Sequence, residues 1–92
     1  MTVLTQQEVE DRIENSESLE NCFIGDVDFT DKIFRGNANF TNAVFEGNAY
    51  FANTVFCGGV DFTGAIFEGD YDFSDTAHCI PFEIVIKDNK AI

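Results

Sequence analysis

Phe34-Arg-Gly-Asn-Ala-Asn-Phe40-Thr-Asn-Ala-Val-Phe45-Glu-Gly-Asn-Ala-Tyr-Phe51 is the stretch that decides the architecture. Its Phe residues are separated by steps of 6, 5 and 6. The alternation continues outward through Phe23 and Phe29 on one side and through Phe56, Phe62, Phe67 and Phe73 on the other. The period is therefore eleven residues with two Phe in each, and ten of the eleven Phe lie on this ladder. On an α-helix such steps scatter the rings around the cylinder. On one continuous strand each odd step flips the ring to the opposite face. Both conflicts vanish when the chain turns a corner between successive Phe residues and each short segment points its ring inward. Identical apolar side chains at fixed spacing mark a stacked solenoid.

Two kinds of corner follow from the alternation. Every six-residue step carries a glycine: Gly25, Gly36, Gly47, Gly58 and Gly69. Asp26, Asn37, Asn48, Gly59 and Asp70 come next, residue types that tolerate positive φ, so these steps are expected to turn on left-handed residues with one bulged position. Val27, Ala38, Ala43, Ala49, Thr54, Val60 and Ala65 precede ladder positions by two and share the interior with the rings. Lys32 and Tyr71 break that pattern and are expected to disturb the core locally. His78 stands where the next Phe is due.

The units Ala38-Asn-Phe40-Thr-Asn and Ala43-Val-Phe45 resemble the pentapeptide-repeat proteins, whose units read roughly Ala-Asp/Asn-Leu/Phe-X-X; Asp28-Phe29-Thr30, Asp61-Phe62-Thr63 and Asp72-Phe73-Ser74 are similar. The resemblance covers residues 18–79. It implies an all-β fold, a right-handed, quadrilateral parallel β-helix of fewer than three coils. Four units to a coil of 22 residues stack Phe23 with Phe45 and Phe67, Phe29 with Phe51 and Phe73, and Phe40 with Phe62. An eleven-residue, two-sided rung is the competing geometry. The family also includes acidic duplex-DNA mimics that bind type II topoisomerases such as gyrase. Their mode of action implies an alternative function for a chain of net charge −12.

The chain reads as one domain, 1–92, in three parts. Residues 5–15 form a short helix that caps the solenoid: Thr5 and Glu8 make a capping box, Leu4 and Val9 a hydrophobic staple, and Val9 and Ile13 share a face. Residues 18–79 carry the repeat. Beyond Pro81, Phe82, Ile84 and Ile86 alternate as an apolar strand within a terminal cap, 80–92, that closes the core or pairs with a second copy.

Seventeen acidic against five basic residues argue against binding phosphate backbones or anionic lipid. No basic segment followed by an apolar run suggests a secretory signal, and no apolar run is long enough to span a bilayer. Three cysteines suit a reducing cytoplasm, the expected location. Cys57 and Cys79 are one 22-residue coil apart, but a vertical disulfide is disfavoured and a metal site with His78 lacks further ligands. The carboxylates Asp28, Asp31, Asp61, Asp70, Asp72, Asp75, Glu46 and Glu68 decorate the exterior, where no cleft is expected to raise a pKa for acid–base chemistry. No catalytic set, cofactor motif or metal-ligand spacing is present, so the chain is expected to be no enzyme. Ile33 with Val55, and Val44 with Ile66 on the opposite side, point outward and form possible interface strips together with Phe82, Ile84 and Ile86. The expected function is a structural or protein-interaction module that forms a homo-oligomer, most simply a dimer through an apolar end or face, and meets a protein partner.

Overall fold

A computed structural model describes residues 2–78. Within them the elements run β1 (Val3–Leu4), α1 (Gln6–Glu14), β2 (Phe23–Ile24), β3 (Val27–Asp28), β4 (Ile33–Phe34) and β5 (Ala38–Asn39). Then follow β6 (Val44–Phe45), β7 (Ala49–Tyr50), β8 (Val55–Phe56), β9 (Val60–Asp61), β10 (Ile66–Phe67), β11 (Tyr71–Asp72) and β12 (Ala77–His78). The strands pair in parallel as β1-β2-β6-β10 (sheet A), β3-β7-β11 (sheet B), β4-β8-β12 (sheet C) and β5-β9 (sheet D). Partners such as Val44↔Ile66, Phe34↔Phe56 and Ala38↔Val60 lie one 22-residue coil apart, which excludes the two-sided rung. The architecture is a short four-sided parallel β-helix. The expected strand at 82–86, with Phe82, Ile84 and Ile86, lies outside the described residues, as does Cys79.

The interior is filled by rings. Vertical partners stack nearly flat: Phe40 on Phe62 at 5.0 Å and 2°, Phe45 on Phe67 at 4.7 Å and 7°, Phe51 on Phe73 at 5.0 Å and 4°. Rings from neighbouring sides meet edge to face, as Phe51 and Phe62 do at 81°. Both arrangements suit the ring quadrupole. Phe29, Phe34, Phe40, Phe45, Phe51, Phe56, Phe62 and Phe73 are buried, and Phe67 is partly buried. Thr54 is the buried polar residue among those described; its hydroxyl donates to the Phe29 carbonyl (2.8 Å), which removes the penalty of an unmatched buried oxygen.

Phe23 does not belong to this core. β2 pairs with β6 as Phe23↔Val44 and Ile24↔Phe45, so Ile24 occupies the inward position and Phe23 turns outward, half-buried. The expected column Phe23–Phe45–Phe67 is in fact Leu4–Ile24–Phe45–Phe67. The cause is the preceding unit. Five residues before Ile24 stands Leu19, fully buried, whereas five before Phe23 stands Ser18. Leu19, Ile24, Phe29 and Phe34 thus follow one another in plain steps of five, and the first coil is one residue shorter than the others.

The corners also differ from the expectation. Left-handed residues sit in the five-residue steps, at Asn21, Asp31, Asn42, Asn53, Gly64 and Asp75, with φ between 56° and 72°. Each is the third residue of a turn closed by a backbone bond, such as Lys32 N–H to Phe29 C=O (2.9 Å) or Ala65 N–H to Phe62 C=O (3.0 Å), the arrangement of a type II turn. The glycine-bearing corners do not turn on positive φ. Their glycines answer a crowding requirement: a Cβ on Gly69 would lie 2.6 Å from the Gly47 carbonyl oxygen, and one on Gly58 would lie 2.6 Å from the Gly36 carbonyl carbon. Gly36 and Gly47 are likewise blocked, by the Ile13 carbonyl and by Asp26. Gly25 has ordinary room, because the short first coil contains no bulged corner there. The extra residue of each bulged corner points its amide down onto an oxygen of the rung below. Asn48 donates to Asp26 Oδ1 (2.8 Å), Gly59 to Asn37 Oδ1 (2.9 Å) and Asp70 to Asn48 Oδ1 (3.0 Å). The Asx residues after glycine are therefore acceptors, not positive-φ residues.

The N-terminal end is closed by α1. The Glu8 amide donates to Thr5 Oγ1 (3.3 Å) and the Thr5 amide to Glu8 Oε1 (2.9 Å), completing the capping box. Val9 and Ile13 are fully buried against the first coil. The Gln6 carboxamide acts as a surrogate peptide at the lower edge of β3. It donates to the Asp28 carbonyl and accepts from the Asp28 amide, both at 3.0 Å. Lys32, an apparent intruder in the core, extends over the rim to Glu10 Oε1 at 3.1 Å.

Candidate interaction surface

Strand alternation sends one residue of each two-residue strand inward and the other outward, and parallel in-register pairing lines up the outward ones in columns. On sheet A the outward column is Val3–Phe23–Val44–Ile66. Val3 is 39% exposed and Ile66 53%; Phe23 and Val44 between them are half-buried. On sheet C, across the coil, the column is Ile33–Val55–Ala77, with Ile33 52% exposed. The structure thus places the four described interface candidates on two opposite faces, Val44 with Ile66 and Ile33 with Val55. The residues that sequence reasoning missed are Val3 and Phe23, which extend the first strip to four rungs. The usable signal was the apolar pair Leu19 and Ile24, five residues apart.

The charged surroundings of the two columns differ. Glu46 and Glu68 stack on the carboxyl-terminal side of the sheet A column, and Asp26 and Asp70 follow at the adjoining corner. Its other flank carries Asn21, Asn42 and Gly64, with Glu20 before Asn21 and the Arg12 guanidinium 3.7 Å from Cys22 Sγ at the lower end. Beside the sheet C column stands Arg35, which makes no ion pair among the described residues, with Asp31 on the opposite flank.

The outward residues of sheet B are Asp28, Tyr50 and Asp72. The Thr30 hydroxyl and amide hold the Asp28 carboxyl below the usual carboxylate range, and those of Ser74 do the same for Asp72. On sheet D, Asp61 accepts from the Thr63 amide (2.8 Å) and hydroxyl (2.5 Å), and Asn39 from those of Thr41. A lowered pKa is the opposite of what a general acid near neutral pH requires. Asp28 and Asp72 are fixed negative charges, and all four of these Asx side chains brace their own corners. Glu46, Glu68, Asp31, Asp70 and Asp75 are spread over other corners and sides, and no group of three His, Cys, Asp or Glu among the described residues could hold a metal ion.

Contrary to the expectation, Cys57 is disulfide-bonded. Cys22 is the free thiol among the described residues, 3.7 Å from Arg12 Nη1. Tyr71, expected to disturb the core, instead ends the Val27–Ala49 column half-exposed, its ring 5.5 Å from that of Phe67. No helix among the described residues is long and apolar enough to cross a membrane.

A family model described as pentapeptide repeats, in nine copies, matches residues 33–77. No curated relative and no solved structure matches the chain.

Proposed function

Because the chain belongs to the pentapeptide-repeat family, we propose that it is a non-enzymatic protein-interaction module. One observation carries this reading. The interior is packed with rings, while the exterior presents two apolar columns on opposite faces, held at rung spacing by sheet hydrogen bonds. Contiguous exposed apolar positions on a small domain are a hallmark of binding surfaces. Capture from a lysate of the source organism, with the protein and its Ile33→Asp/Ile66→Asp variant as baits, tests it. Proteins retained by the former and lost from the latter support the reading; identical retention on both overturns it.

Self-association is the second part of the proposal, and sheet C is its surface. A two-fold axis parallel to the solenoid sets Arg35 of each copy opposite Asp31 of the other, around the Ile33–Val55 contact. Sedimentation equilibrium of the protein and of Ile33→Asp distinguishes a dimer from a monomer. The acidic duplex-mimic reading has Asp28 and Asp72 in its favour, two rungs apart on sheet B and held ionised. Against it stands height: under three coils at about 4.8 Å per rung reach roughly 13 Å, well short of a duplex turn of about 34 Å. Absence of any effect on gyrase supercoiling at micromolar protein removes it.

A further inference from the structure

We infer, resting on the interaction-module reading, that the outer face of sheet A docks a basic amphipathic α-helix of another protein, laid along the solenoid axis. The one-residue shortening of the first coil is what builds this surface. It moves Phe23 from the expected core onto the outer face, between Val3 and Val44, and makes a continuous apolar column through four rungs. Three rung spacings of about 4.8 Å span roughly 14 Å. An α-helix rises about 1.5 Å per residue, so side chains at i, i+3, i+7 and i+10 span about 15 Å and meet the four rungs one by one. A β-strand laid along the same axis repeats on one face about every 6.8 Å and falls out of step with the rungs.

Charge selects the sign and the side. Glu46 and Glu68 line one edge of the column, with Asp26 and Asp70 behind them; the other edge carries Asn21, Asn42 and Gly64, and at its lower end Glu20 and the Arg12 guanidinium beside Cys22 offset each other in charge. The fitting helix therefore carries Lys or Arg along one side of its apolar stripe and uncharged residues along the other. A second copy of this chain does not fit. Its helix among the described residues, α1, has its apolar face buried in its own core and offers no free stripe to this column.

The test titrates the whole protein into a labelled synthetic peptide of about 15 residues, followed by fluorescence anisotropy. The probe has Leu at i, i+3, i+7 and i+10 and Lys along one flank; a scrambled peptide and one with Glu for Lys are the controls. Selective binding of the probe is expected. Ile66→Ser should weaken it about tenfold, whereas the opposite-face variant Ile33→Ser should bind the probe as the unaltered protein does. Glu46→Gln/Glu68→Gln should weaken it about fivefold at low salt, an effect lost near 0.5 M salt. Equal binding of the controls, or an equal loss in Ile33→Ser, overturns the assignment. So does self-association of the protein that Ile66→Ser abolishes, which would give the face to a second copy. If the probe fails while Ile66→Asp alone still releases captured proteins, the helix is wrong and the interaction-module reading stands. If the probe fails and neither Ile66→Asp nor Ile33→Asp/Ile66→Asp releases a captured protein, both readings fall.

Discussion

Replacing Ile24 by Ala should destabilise the protein far more than replacing Phe23 by Ala, the reverse of what the Phe ladder implies. Ile24 is fully buried, between Leu4 below and Phe45 above. Truncation removes three carbons, worth about 2.4 kcal/mol at about 0.8 kcal/mol each. The neighbours cannot close over the gap, because backbone bonds on both sides hold the rungs apart: Gly25 N–H to Leu4 C=O (3.0 Å) and Glu46 N–H to Ile24 C=O (2.8 Å). A residual void of roughly 40 Å³ adds about 1 kcal/mol, for a total of about 3–4 kcal/mol. Phe23 lies half-buried on the outer face, and its loss should amount to under about 1 kcal/mol. Urea unfolding followed by far-UV circular dichroism reads the difference. With a slope near 1 kcal/mol per M for a small domain, the midpoints should fall by roughly 3 M and under 1 M respectively. Should Ile24→Ala fail to fold, Ile24→Val gives a graded loss of about 1 kcal/mol. A Phe23→Ala loss equal to or greater than that of Ile24→Ala would put Phe23 back in the core and refute the shortened first coil.

Phe51 touches six other rings, and Phe51→Ala should lose about 3–5 kcal/mol by the same denaturation assay; under 1 kcal/mol would deny it a core position. Gly58→Ala should destabilise by about 1–3 kcal/mol, because its Cβ meets the backbone of the rung below, whereas Gly59→Ala, whose Cβ would meet Asn37 Oδ1 at an ordinary 3.6 Å, should be neutral or gain about 0.5 kcal/mol. Equal effects at the two sites would contradict the crowding explanation. Ser74→Ala should move the Asp72 carboxyl back up toward 3.8, followed by carboxyl-carbon NMR titration. Since the folded-state pKa of Asp72 lies below the unfolded one, its contribution is complete above the unfolded value and lost as pH falls through the folded one. Stability should therefore decline below about pH 4, less steeply in Ser74→Ala.

The period, the inward direction of Phe29 through Phe73 and the capping box of α1 were legible in residue identities alone. Each depends on contacts within a few residues or on strict repetition, which a single sequence displays in full. The first coil was not legible in the same way. Phe23 satisfies the alternation of 5 and 6, and Ile24 satisfies a run of fives through Leu19; a one-residue choice sends every side chain to the opposite face. That tie is broken by burial of Leu19, by the turn at Asn21 and by β1 beneath β2, all of which are tertiary facts. The Asx residue after each corner glycine was misread for a related reason. Its partner is an amide 22 residues away, out of reach of any local pattern. The repeating sequence thus establishes a ring-filled solenoid and its approximate pitch. Which apolar residues share an outer column, and which carboxylates flank it, is decided only when successive coils stack, because register between coils is a sum over every residue of the coil and one missing residue shifts it.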